Sequence, residues 1–171
     1  PVFSVEGLQA ALSTHWPDLA SPTDIAMDES TLSFQLGAVV VVVGKMPAPI
    51  PWSDLEGPCA TSVLWPDAAA VVPRHKEHAI VTVSGELDPV ALSTLLTQVT
   101  AAMMASTPVS LGVFWTNAAL LAPKNLFIDF AVEVLPDGPP LPIWVDYRVG
   151  WVEKNSLSAG FTTGLAELGL M

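Results

Sequence analysis

Apolar residues recur at Val5, Leu8, Leu12 and Trp16, a spacing of three and four that predicts a helix. Ser4 is placed to cap it, and Pro17 ends it. A polar, acidic loop with Asp18, Asp24, Asp28 and Glu29 is expected next. From Thr31 the period changes to two, with Leu32, Phe34 and Leu36 on one face of a strand. The run Val39 to Val43 follows, five β-branched residues that fit a strand covered on both faces. Between Met46 and Pro73 stand Pro47, Pro49, Pro51, Pro58, Pro66 and Pro73, a density that predicts an ordered loop with one short helix near Ala60 to Trp65.

A strand is expected from His78 to Ser84, with Gly85 turning the chain. The plainest element is the helix opened by Asp88 as cap and Pro89 at its first position, with Leu92, Leu95, Leu96, Val99 and Met103 at helical spacing. Its other face is Ser93, Thr94, Thr97 and Thr100, with no charge between Pro89 and Ser106, so another element or a partner must cover it. A strand at Val109 to Trp115 and a turn at Asn117-Ala118-Ala119 follow. Two alternating segments, Leu126 to Val134 and Ile143 to Val152, are joined by Pro136-Asp137-Gly138-Pro139-Pro140 and read as antiparallel neighbours. The pattern predicts a single α+β domain over residues 1–171, its sheet mostly antiparallel and flanked by helices.

Composition narrows the function classes. Of 171 residues 51% are hydrophobic and only 13% charged, which excludes disorder. Six Lys+Arg against seventeen Asp+Glu leave a net charge of −11, so a phosphate backbone would be repelled and no nucleic-acid partner is expected. The aliphatic run Leu36 to Val43 is far short of the roughly 20 residues that span a bilayer, and no membrane partner is expected. Pro1-Val2-Phe3 lacks the basic residues of a secretory leader, which leaves open one removed ahead of Pro1, and the single Cys59 forbids an internal disulfide. Cytoplasmic residence is the expectation.

Reactive side chains are few. Arg74-His75-Lys76-Glu77-His78 places two histidines three apart, and Asp54 and Glu56 lie in the proline-rich segment. Were His75, His78, Asp54 and Glu56 to converge, they would suit a small metal-dependent or acid–base hydrolase. The competing reading makes the histidines a strand entry and the carboxylates turn caps, since residues three apart on a strand face opposite ways. Cys59 reads as a packed thiol rather than a nucleophile. No G-x-S-x-G, P-loop or G-x-G-x-x-G pattern occurs, and no cofactor, catalytic residue or metal ligand is assigned. Of six tryptophans, Trp16 and Trp151 read as core, and one or two of the others as exposed contact residues.

Trp52-Ser53-Asp54-Leu55-Glu56-Gly57-Pro58, His75-Lys76-Glu77-His78, Gly112-Val113-Phe114-Trp115 and Phe161-Thr162-Thr163-Gly164-Leu165 together resemble the bacterial domain-of-unknown-function family 4261, from about Leu36 onward. That family carries no established activity. Some of its members are associated with secretion-system and toxin neighbourhoods, and the resemblance to them implies an immunity-type role.

The reading that follows is a non-enzymatic protein-binding domain, an immunity protein that covers a basic toxin or effector with an acidic surface. The first 44 residues hold five acidic residues and no Lys or Arg. The contact is therefore expected at Asp24, Asp28 and Glu29, with Trp52, Asp54 and Glu56 beside it. A homodimer packed through the uncharged helix is a further expectation.

Overall fold

The computed structural model describes residues 4–153 and 156–170. Helix α1 (Val5–His15) begins as expected, with the Ser4 hydroxyl accepting from the Gly7 N–H at 2.9 Å. Strands β1 (Thr23–Met27), β2 (Thr31–Leu36), β3 (Val39–Met46) and β4 (His78–Ser84) form a four-stranded antiparallel sheet in sequence order. Helix α4 (Pro89–Ser106) is opened by Asp88, whose carboxylate accepts from Val90 and Ala91 N–H. Between β3 and β4 lie α2 (Trp52–Thr61) and α3 (Ala68–Val71).

The remaining chain supplies a hairpin of β5 (Gly112–Trp115) and β6 (Leu120–Pro123), then α5 (Lys124–Asp129) running into a π turn over Phe130–Val134. After α6 (Leu141–Trp144), a second hairpin pairs β7 (Asp146–Glu153) with β8 (Leu157–Thr163). Every strand pairing among the described residues is antiparallel, and helices flank the sheet, so the α+β class holds.

Helices α1 and α4 pack together against the inner face of the four-stranded sheet, where Leu32, Phe34, Leu36, Val41 and Val43 are buried. The uncharged surface of α4 is explained by this position: nearly every residue along it is half-buried or buried, and Thr97 is 0% exposed. With 18 residues and a mean hydropathy of 1.2, α4 is also long and apolar enough to cross a membrane. Its packing on α1, β4 and α5 accounts for that composition within this fold.

Trp144 is the centre of the second half. Its indole N–H donates to the Thr97 hydroxyl at 2.8 Å, and its ring stacks on Trp115 with centroids 6.3 Å apart and planes 14° from parallel. Gly164 lies against it at φ +106, where an added Cβ would stand 2.6 Å from the Trp144 carbonyl oxygen. Only glycine fits that conformation and that approach.

Five expectations need correction. The acidic loop contains β1, an edge strand with every residue exposed and a bulge between Thr23 and Ala26 where Asp24 takes φ +50. The five-valine run is not covered on both faces: Val40 and Val42 are 43% and 38% exposed, because only every second residue turns inward. In the proline-rich segment the helix begins at Trp52 and runs through Pro58, anchored by inward Leu55 and Cys59 four residues apart.

The alternation from Leu126 to Val134 is a helix, because the fully inward positions are Phe127, Ala131 and Leu135, each four apart. Finally, Ile143 to Val145 are consecutively buried, so the strand starts at Asp146 and pairs with the C-terminal segment. That leaves Trp151, expected in the core, 69% exposed on a ribbon with Val149 and Phe161.

Candidate functional site

The acidic candidates fall into three places. Asp24 sits at the bulge of β1, near the Leu36 end of the sheet. Asp28 and Glu29 occupy the β1–β2 turn at the opposite end. The Asp28 carboxylate accepts from the Ser30 and Thr31 N–H groups at 2.7 Å each, and from the Ser30 hydroxyl. These hydrogen bonds, aided by Lys45, hold its pKa below the ordinary carboxylate value. Asp28 is thus a turn-former as well as a charge. Glu29 borders a shallow recess with Lys45, Pro47 and Glu77.

Trp52, Asp54 and Glu56 are carried by α2, whose inner side is fixed by Leu55 and Cys59. Residues two apart on a helix diverge by roughly 200°, so Asp54 and Glu56 do not form a facing carboxylate pair. Trp52 and Glu56, four apart, share a face instead, and Trp52 is 44% exposed. Sequence inspection missed this pairing because the helix itself was obscured by prolines. Cys59 is buried, and desolvation pushes its thiol pKa up.

The histidines are tied to backbone. His75 Nε2 accepts the Ile50 N–H at 2.7 Å, so Nδ1 is the protonated nitrogen and donates to the Val72 carbonyl at 2.6 Å. His78 Nδ1 lies 2.8 Å from the Ala48 carbonyl. Both rings clamp the segment between β3 and α2 onto the entry to β4. His75 therefore presents no free ring nitrogen for proton transfer or metal binding in this arrangement. Among the described residues no set of three His, Cys, Asp or Glu side chains is gathered as a metal site.

Asp54, His75 and His78 do share one feature, a groove of about 810 Å³; Glu56 is not part of its lining. The groove runs between β4 (His78 to Val81) and β5, over an α4 face that includes Leu96, Thr100 and Met103. Trp65 closes down on Gly112 at its margin, where a Cβ would meet the ring at 2.4 Å. No single sequence motif marks this groove, because its walls are separated by the whole of α4.

No family model, curated protein or solved structure matches this chain.

Proposed function

We propose that the chain is a non-enzymatic binding protein, an immunity-type protein that neutralises a basic toxin or effector in the cytoplasm by covering it with carboxylates. The observation that carries this reading is the set Asp24, Glu29, Asp54 and Glu56, all exposed and none ion-paired among the described residues, on a chain of net charge −11. Such a surface draws a cationic partner and raises its association rate. Exposed Trp52 beside Glu56 supplies an aromatic anchor of the kind protein interfaces favour. The likeness of four short motifs to domain-of-unknown-function family 4261 supports the immunity assignment. Binding is favoured over hydrolysis because His75 is committed to backbone at both nitrogens. Packing of α4 on α1, β4 and α5 within its own chain takes up part of the uncharged surface that motivates a homodimer.

Co-purification of the tagged protein with the products of neighbouring genes tests the proposal. One tight partner of positive charge, released by high salt, is expected. Recovery of none at low ionic strength contradicts it.

A further inference from the structure

The groove beside β4 has two walls of the same kind. β4 is the last strand of the four-stranded sheet, and β5 belongs to a separate two-stranded one. Among the described residues no backbone hydrogen bond from another segment closes the groove-side edge of either strand. A strand edge presents alternate N–H and C=O groups with no partner. Here two such edges border one groove, whose lining includes α4 residues packed beside β4.

The volume fits one more strand. A strand within a sheet takes about 4.8 Å across, about 10 Å through the layer and about 3.3 Å per residue along it, or roughly 160 Å³ per residue. The groove's 810 Å³ then holds about five residues, comparable with the seven of β4 and the four of β5. Side chains of such a strand would alternate between the apolar α4 floor and solvent.

The charges at one end select the occupant. The chain has six Lys+Arg, and two of them, Arg74 and Lys76, are exposed on the segment entering β4, with no ion pair among the described residues. Asp54 and Glu77 are on the same lining, and Glu77 also borders the recess that holds Lys45. A strand antiparallel to β4, the more stable pairing, brings its C-terminal end beside Arg74 and Lys76.

We propose that this groove binds an extended peptide segment as an added strand between β4 and β5, apolar at alternate positions and acidic at its C-terminal end. The groove shares Asp54 with the carboxylate face of α2, and the two readings are told apart by the charge of the ligand each one takes.

The test uses the full chain and synthetic seven-residue peptides with Val, Ile or Phe at alternate positions. One set ends in Asp-Asp with a free carboxylate, one in Ser-Ser-amide and one in Lys-Lys-amide. Titration by calorimetry should show the acidic set binding at least tenfold tighter than the lysine set. The double substitution R74E/K76E, on exposed side chains, should reverse that order with the circular dichroism spectrum unchanged. Insertion uses both edges of the peptide, so N-methylation at either odd or even positions should abolish binding. Binding that survives both methylation patterns overturns the proposal, as does the absence of binding by the whole acidic set at 1 mM. Loss with one pattern alone overturns it too, because the peptide would then be using a single edge.

Discussion

The buried hydrogen bond between Trp144 and Thr97 gives the sharpest stability prediction. Both residues are essentially inaccessible, at 1% and 0% exposure. The Thr97 hydroxyl is the acceptor for the indole N–H at 2.8 Å, while its own proton goes to the Ser93 carbonyl. Thr97→Val keeps the volume and removes the acceptor, leaving a buried N–H with no partner, which costs about 1–3 kcal/mol. For a chain this long that corresponds to a fall in melting temperature of roughly 3–10 °C.

Trp144→Phe removes the donor and costs stability through lost packing, but in that background Thr97→Val has no N–H to orphan. Its effect there should shrink to about 0.5 kcal/mol or less, because replacing both partners by apolar groups is nearly neutral. Thermal and urea unfolding of the four proteins, followed by near-ultraviolet circular dichroism, measures the coupling directly. Equal losses in the two backgrounds, or no loss from Thr97→Val alone, would refute the assignment of this bond as a fixed part of the core.

Three further outcomes follow from particular geometry. Gly164→Ala forces a Cβ toward the Trp144 carbonyl at positive φ and should destabilise by about 2 kcal/mol or more, whereas Gly57→Ala, on the open side of α2, should be neutral or slightly stabilising in the same denaturation assay. The Asp28 carboxyl has a folded pKa below its unfolded value near 3.8, so its contribution is fully present above that pH and is lost as pH falls through the folded value. Asp28→Asn should therefore flatten the wild-type loss of stability below about pH 4. Cys59, buried with a raised pKa, should react with a thiol reagent at neutral pH only at the rate of unfolding, seen as a full burst on adding denaturant.

How much of this could be read from the residues depends on how local the determinants are. Helices α1 and α4 were legible because their caps and spacings lie within a few residues of each other. Strand β2 was legible from its strict alternation. Helix α2 was hidden by Pro51 and Pro58, since the burial of Leu55 and Cys59 against Trp65 and Leu121, which outweighs them, is a tertiary matter. The segment after Pro123 carried both a period of two and a period of four, and packing of Phe127 and Ala131 decided between them.

For the site, the exposed carboxylates were legible as charge, but not their partition between the β1–β2 hairpin and α2. The His75 clamp was not, because its partner Ile50 N–H lies 25 residues away. The motifs at 112–115 and 161–165 do local structural work: Gly112 admits Trp65, Trp115 stacks on Trp144, and Gly164 passes close to the same tryptophan. Much of what those motifs encode is therefore the fold.

The most direct test of the acidic-surface account is the association rate of the captured neighbouring-gene product, measured by stopped flow as salt is raised from 50 to 500 mM, for the wild type and for a variant carrying Glu29→Lys, Asp54→Lys and Glu56→Lys. The account predicts a wild-type rate that falls at least tenfold over this range, and a variant rate that is slower at low salt and nearly flat. A partner that associates equally fast with both proteins at every salt concentration would contradict it.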